Sequence, residues 1–294
     1  MKLVNFGSLN YDYVYGVDHM VLPGETLSSH SMETFCGGKG LNQSIALARA
    51  GVFVYHAGMV GEDGDSLIAM CKENQIDDRF ITKVQGKSGH TIIQVDKHGQ
   101  NCIILYPGSN GLNTLEHIGE VLDYFEEGDM ILLQNEINLL DQIIDKAYQK
   151  KLKIILNPSP FNEKVQACDL SKVSLFLMNE IEGYQITGEK EPDNILKVMA
   201  EKYPSSEVVL TLGKDGAMYS GNGKKYFRES YKVNAVDTTA AGDTFTGYYL
   251  ASVIEGKSIE KSLEIGSLAA SIAVTRKGAT SSIPTKNEVE NRLM

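Results

Sequence analysis

Four short apolar runs constrain the fold of this chain more than any other feature: Met130-Ile131-Leu132-Leu133, Lys153-Ile154-Ile155-Leu156-Asn157, Leu175-Phe176-Leu177-Met178 and Val208-Val209-Leu210-Thr211-Leu212. Each has the length of a strand, and helical spacing of apolar residues lies between them, as in Leu139 to Lys150. A strand that is apolar on both faces needs cover on both faces. The alternation therefore predicts an α/β fold with a mostly parallel central sheet between helical layers. Ligands of such sheets gather beyond the carboxyl ends of the strands. Asn157, Asn179 and Gly213 stand at those ends.

The N-terminal third follows another rule. After a first short strand at Met1 to Gly7, the segments Tyr11 to Cys36 and Gly89 to Pro107 alternate polar and apolar residues. Asp96 to Gln100 lies between two such runs and reads as a hairpin turn. Between the two segments, Asn42 to Ala50 is a small-residue helix that stops at Gly51. Residues 1–294 read as one domain, with approximately 11–36 and 89–107 forming a small sheet placed as a lid.

Asp237-Thr238-Thr239-Ala240-Ala241-Gly242-Asp243-Thr244-Phe245 sets two carboxylates six positions apart among hydroxyl and very small residues. Thr246 to Glu255 reads as a helix, so the small residues stand where it begins. A helix start carries unpaired N–H groups and partial positive charge, which favour an anion. Ala240, Ala241 and Gly242 let a phosphate approach closely, and Asp243 stands beside it as a proton acceptor. That pairing points to phosphoryl transfer onto a hydroxyl.

Composition removes other classes. The formal charge of −10 argues against a nucleic-acid partner, which needs a clustered basic face. Cys36, Cys71, Cys102 and Cys168 lie far apart without a C-x-x-C pair, as in reduced thiols of a cytoplasmic protein. No apolar run approaches the length of a membrane span, and the N-terminus lacks the apolar core of a secretion signal.

Further motifs have both plain and functional readings. Gly37-Gly38-Lys39-Gly40-Leu41-Asn42-Gln43 is a Gly-rich turn before a helix, which also permits close backbone approach and offers a cation. It is not a Walker loop. Gly86-Lys87-Ser88 and Gly256-Lys257-Ser258 also fail that pattern, because Ile81 and Ala251 occupy the first-glycine position. Asn10 and Asp12 are turn formers or holders of vicinal hydroxyls, and Glu136 has the same two readings. Asn179 and Glu182 fit a helix cap with its partner, or a carboxylate that organises Mg²⁺ through water. Thr211-Leu212-Gly213-Lys214-Asp215-Gly216 is a turn after a strand. Ala273 to Ala279 reads as a basic helix end with a Gly stop. The six histidines show no metal-ligand spacing.

Taken in order, Gly7 to Asp12, Pro23-Gly24-Glu25-Thr26, Gly37 to Gln43, Asn179 with Glu182, Thr211 to Gly216 and Asp237 to Phe245 resemble the ribokinase, or PfkB, family of carbohydrate kinases. The resemblance spans essentially the whole chain. It implies a three-layer sandwich with a small β-sheet lid, ATP as phosphoryl donor, Mg²⁺ and a monovalent cation, commonly K⁺. It implies Asp243 as base and Ala240, Ala241 and Gly242 as anion hole. Asn10, Asp12, Gly38, Lys39, Asn42 and Glu136 would line the sugar site together with Asp243. Asn179, Glu182, Thr211, Leu212, Gly213, Lys214, Asp215 and Gly216 would serve the nucleotide, with Gly242 at its phosphates and Ser267 near the adenine. Asp237 and Thr239, with groups around Ala273, Arg276, Gly278 and Ser282, match the monovalent-cation site. Pairing as a homodimer through the lids is also implied.

Leu41, Tyr106 to Asn110 and Ser267 depart from the family's usual wording, in regions that bear on sugar and adenine rather than on transfer. The expected reaction is ATP-dependent phosphorylation of a primary hydroxyl of a small sugar, with ribose at its 5-hydroxyl as the leading acceptor. Fructose, a deoxy sugar or a nucleoside would keep the chemistry and change the acceptor. A non-catalytic sugar or nucleotide sensor is the competing class, and loss of the base or anion hole would favour it. Both are present.

Overall fold

The computed structural model describes residues 1–293. The chain opens on β1 (Leu3–Phe6), β2 (Asn10–Gly16) and β3 (Ser31–Gly37), then enters α1 (Lys39–Arg49). β4 (Tyr55–Val60), α2 (Asp65–Glu73) and β5 (Asp77–Lys83) follow, then β6 (Gly89–Val95) and β7 (Asn101–Tyr106). Next come α3 (Leu115–Asp123), β8 (Met130–Gln134), α4 (Leu140–Gln149), β9 (Lys153–Asn157), α5 (Glu163–Gln166) and β10 (Leu175–Asn179). α6 (Glu180–Thr187), α7 (Pro192–Lys202), β11 (Glu207–Thr211), β12 (Ala217–Gly221) and β13 (Lys224–Arg228) lead to α8 (Ala241–Ile254), α9 (Ile259–Ala273) and α10 (Lys286–Leu293).

The large sheet has nine strands in the order β13-β12-β11-β10-β9-β8-β1-β4-β5. From β11 to β5 every neighbouring pair is parallel, while β12 and β13 turn back antiparallel. Successive residues of a strand face opposite sides, and here that alternation sorts the core into two layers. Leu3, Met130, Leu132, Ile155, Leu177 and Val209 join one apolar cluster with helices α1, α8 and α9. Val4, Phe6, Ile131, Leu133, Leu156, Phe176 and Leu210 join a second cluster with α3, α4 and α7. This is the expected three-layer sandwich.

The alternating N-terminal segments form a separate four-stranded sheet, ordered β3-β2-β6-β7. β6 and β7 pair antiparallel across the turn at Asp96 to Gln100, as their spacing predicts. Two helices begin earlier than the sequence reading placed them. α1 starts at Lys39 rather than Asn42, and α8 starts at Ala241 rather than Thr246. At α8 the small residues Ala241 and Gly242, read as a loop, belong to the first helical turn, where alanine is favourable, whereas the first turn of α1 is Lys39-Gly40-Leu41. α1 and α8 pack closely enough that a Cβ on Gly247 would lie 2.4 Å from the Ala46 Cβ. That contact brings the starts of the two helices together.

Candidate active site

A cleft of about 440 Å³ opens where the carboxyl ends of the large sheet meet the small sheet. Its wall takes Asn10 and Asp12 from β2, Lys39 and Asn42 from α1, Glu136 after β8, Asn179 and Glu182 at α6, and Thr238 to Asp243 at α8.

Ala240, the N-cap of α8, is held in left-handed backbone at φ 57°, and no side chain caps the helix. The Ala241 N–H is taken by the Thr238 carbonyl at 3.2 Å. Among the described residues nothing accepts from the N–H of Gly242 or Asp243. The Ala240 N–H likewise has no acceptor among the described residues, so of the expected trio Ala240, Ala241 and Gly242 only the Ala241 amide is used within the protein, by a tight turn. A Cβ built on Gly242 would meet no protein atom within 4 Å, so the space before those amides is open. This is a helix start suited to an anion.

Asp243 is buried, and its carboxylate is held by two side chains from α1. Asn42 Nδ2 donates to Oδ2 at 3.0 Å, and Gln43 Nε2 donates to Oδ1 at 2.9 Å. Asn42 Oδ1 is buried without a protein partner, which leaves an acceptor for a ligand hydroxyl. α1 reaches this position through Gly38, whose φ of 92° is open to glycine at little cost.

The opposite wall is rich in polar groups that suit a polyol. Thr91 Oγ1 donates to Asp12 Oδ1 at 2.5 Å. Asn110 Nδ2 donates to Asn10 Oδ1 at 2.6 Å, which leaves the Asn10 amide N–H groups for the cleft. Glu136 Oε2 accepts from the Ser8 hydroxyl at 2.5 Å and the Lys39 N–H at 3.0 Å. Burial raises the Asp12 carboxyl to about 6, opposed by the Thr91 hydrogen bond and reinforced by the Glu136 and Asp243 charges, with Lys39 pulling the other way. Burial lowers the Lys39 ammonium, but the charges of Asp243, Glu136, Glu182 and Asp12 outweigh it and hold the group above its ordinary value. Lys39 therefore stays charged among carboxylates.

At the start of α6, Asn179 and Glu182 form a complete capping box. The Asn179 side chain accepts from the Ile181 and Glu182 N–H groups, and Glu182 Oε2 accepts from the Asn179 N–H at 2.7 Å. Both residues also line the cleft. Of the Thr211 to Gly216 segment only Thr211 reaches the cleft wall. Leu212 packs into the core, and Gly213, Lys214 and Asp215 make an exposed turn. Ser267 is buried within α9 and stands outside the cleft wall.

Behind the anion-binding start, Asp237 Oδ1 accepts from the Thr239 N–H at 2.9 Å and its hydroxyl at 2.6 Å. Its Oδ2 accepts from the Gly278 N–H at 2.9 Å. Burial raises this carboxyl, but those hydrogen bonds outweigh it and hold it below the usual range. The structure thus brings Asp237, Thr239 and Gly278 together. Ala273 ends α9 with its carbonyl accepting from the Arg276 N–H, the Arg276 side chain pairs with Glu288, and Ser282 Oγ donates to the Ala279 carbonyl.

Gln43, Thr91, Asn110 and the apolar Ile93, Ile103 and Leu105 also belong to the site or its support without a site role expected from sequence, while Asn157 lines the cleft at the strand end where a site was expected. Alternation along β6 and β7 was the available signal for the apolar ones, since it places 93, 103 and 105 on one face.

Comparison with known proteins follows the same lines. Residues 1–286 match the family described as pfkB family carbohydrate kinase. Ribokinase of Haemophilus influenzae is 34% identical over 300 aligned residues, spanning 97% of this chain and 96% of that protein. The crystal structure of ribokinase from Thermotoga maritima superposes with a TM-score of 0.86 at 32% identity, covering 100% of this chain and 99% of that one. Arabidopsis thaliana ribokinase complexed with ribose and ATP gives a TM-score of 0.86 at 28% identity, covering 99% and 98% of the two chains.

Proposed function

The chain belongs to the pfkB family of carbohydrate kinases, and from that premise we propose that it transfers the γ-phosphoryl group of ATP to the 5-hydroxyl of D-ribose. The observation that carries this reading is one cleft holding a buried carboxylate, Asp243, beside the unpartnered N–H groups of Gly242 and Asp243. Asp243 takes the proton of the sugar hydroxyl as the new O–P bond forms. The bond from the γ-phosphorus to the bridging oxygen breaks, and ADP leaves. Charge on the transferring group is met by the helix-start amides and by Lys39. Asn10, Asp12, Asn42 and Glu136 hold the other hydroxyls, and the small sheet forms the lid over them.

Asn179, Glu182 and Thr211 face the nucleotide. A single carboxylate at Glu182 suits Mg²⁺, an ion that keeps much of its water and rides on nucleotide phosphates. When bound, Mg²⁺ neutralises phosphate charge. The Asp237 carboxylate and the Thr239 hydroxyl offer hard oxygens that suit a monovalent cation such as K⁺. The Asp237 carboxylate accepts three protein hydrogen bonds out of about four lone-pair positions, so it can still ligate.

Ile104 and Tyr106 lie on the outer face of the small sheet, 62% and 53% exposed, and favour pairing of two chains there. Use of ATP and reduced cysteines favour the cytoplasm. Among the described residues no helix is long and apolar enough to cross a membrane.

A coupled ADP assay across pentoses, hexoses and nucleosides tests the acceptor. Ribose should give the highest kcat/KM, and preference for fructose, deoxyribose or a nucleoside would move the assignment. The same assay with sodium or a bulky organic cation in place of potassium tests the Asp237 site, where unchanged activity would remove the cation role.

A further inference from the structure

Behind Asp243 lies a chain of side-chain amides that touches neither the cleft nor solvent. Gln43, which donates to Asp243 Oδ1 at 2.9 Å, accepts at Oε1 from Gln134 Nε2 at 2.6 Å. Gln134 Nε2 also donates to Asn5 Oδ1 at 2.9 Å. Asn5 Nδ2 donates to the Gly40 carbonyl at 2.7 Å and to Ser44 Oγ at 2.9 Å, and Ser44 Oγ lies 2.8 Å from His56 Nδ1. Asn5, Gln43, Ser44, His56 and Gln134 are each 0% exposed. Burial holds His56 down at about 4, with a backbone hydrogen bond to Gly7 opposing it, so the far end of the chain is neutral.

Both ends of this chain dictate its direction. A side-chain amide can turn either its donor or its acceptor end to a neighbour. The Gly40 carbonyl can only accept, so Asn5 turns its NH2 towards it and its Oδ1 towards Gln134. Gln134 must then offer its NH2, one N–H to Asn5 and one to Gln43 Oε1. Gln43 is left with its NH2 for Asp243, whose carboxylate can only accept. Reversing any one amide would set oxygen against oxygen in a dry interior. Gly7 makes room for this arrangement, because a Cβ there would lie 2.2 Å from Gln134 Oε1.

We propose that Gln43 is a positioning residue for Asp243 and that Gln134, held by Asn5, locks it in the donating orientation. The proposal rests on the reading of Asp243 as the base. Asn42 fixes Oδ2 at the cleft wall while Gln43 fixes Oδ1 from beneath, so two donors on two oxygens set the plane of the carboxylate. The base therefore meets the sugar hydroxyl without first rotating. Sugar affinity is set by other groups, so loss of Gln43 registers in kcat and little in KM.

The test uses the purified full chain as Gln43→Met, Gln134→Met, the double variant, Gln43→Glu and Asp243→Asn. Gln43→Met should lower kcat by about 10²-fold with the sugar KM within about threefold, and Gln134→Met by about 10-fold. If Gln134 acts through Gln43, the double variant should be no slower than Gln43→Met. Gln43→Glu keeps the volume and sets a second carboxyl against Asp243. Two carboxyls in contact share a proton, so its kcat–pH profile should shift by about one unit or more. A kcat for Gln43→Met within about threefold of wild type, or effects that multiply in the double variant, would overturn the proposal. If the methionine variants do not fold, a Gln43→Glu profile that superimposes on wild type overturns it alone. Near-normal turnover by Asp243→Asn would instead sink the base assignment. An inactive Asp243→Asn beside unaffected Gln43 variants would sink only the positioning role.

Discussion

Helix α1 and helix α8 both begin after a residue in left-handed backbone, Gly38 at φ 92° and Ala240 at φ 57°, and neither is capped by a side chain of that residue. At α1 the first amides are engaged within the protein. Lys39 N–H goes to Glu136, Gly40 N–H to Ser8 Oγ, and Leu41 N–H to the Ser8 carbonyl. At α8 the amides of Gly242 and Asp243 face open cleft. Two turns rich in small residues, each leading into a helix, thus differ in how their first amides are used. One engages its first amides within the protein and turns the side chains of Lys39 and Asn42 to the cleft, and the other leaves the amides of Gly242 and Asp243 without a protein acceptor. Changes at α8 should therefore act on kcat, as should changes at Lys39 and Gln43 of α1, whereas changes at the other sugar-facing side chains act on sugar affinity.

The largest effect should come from Asp243→Asn, which keeps the shape and removes the proton acceptor. We expect kcat to fall by about 10²–10⁴-fold, while calorimetry still detects sugar binding. Loss of binding in parallel would break the division, since Asp243 would then be acting as part of the sugar platform.

Gly242→Ala sharpens the comparison from the backbone side. Its Cβ meets no protein atom within 4 Å, so the fold has no objection to it. The melting temperature should hold or rise, because alanine is favoured over glycine in a helix by up to about 1 kcal/mol. The methyl group would nonetheless push a phosphate off its donors, and kcat should fall by about 10²-fold. A fully active variant would move the anion site elsewhere.

The smallest effect concerns Asp12 at the sugar end. Its carboxyl sits at about 6 in the free protein, chiefly through burial. It is an acceptor for hydroxyls when ionised, so sugar affinity is present above about 6 and lost as pH falls through that value. The kcat/KM for sugar should drop by about 10-fold per unit below it, with kcat at saturating sugar much less affected. Asp12→Asn should abolish that limb. For folding the sign is opposite. The folded chain takes up a proton that the unfolded chain does not, so this group favours the fold as pH falls from about 6 towards 3.8.

Much of the fold was legible because the period of apolar residues is a local property. The buried runs at Ile131, Ile155, Phe176 and Val209 could only be strands covered on both faces, and each became one. The boundaries of α1 and α8 were not legible. Residues such as Gly40, Ala241 and Gly242 are found both in loops and in a helix's first turn, so the local pattern did not place the boundary. The site was legible where a side chain's chemistry is unusual for its place, as with Asp12, Lys39 and Asp243. Thr91 and Asn110 were not, since a threonine or asparagine in a strand or turn needs no function to explain it.

Read alone, the sequence determined a parallel α/β body, a small second sheet, and a helix start of small residues beside a carboxylate, because periodicity and side-chain size act over a few residues. The tertiary structure decided which amides of that start remain available, and which oxygen of Asp243 each donor holds. Gln43 and Asp243 are 200 residues apart in the chain, and Gln134 and Asn5 are 129 apart. Only the crossing of α1 over α8 and the pairing of β1 with β8 bring those atoms within hydrogen-bond reach. Direction in a buried amide chain is set by its fixed ends, and the ends meet only when the sheet is assembled.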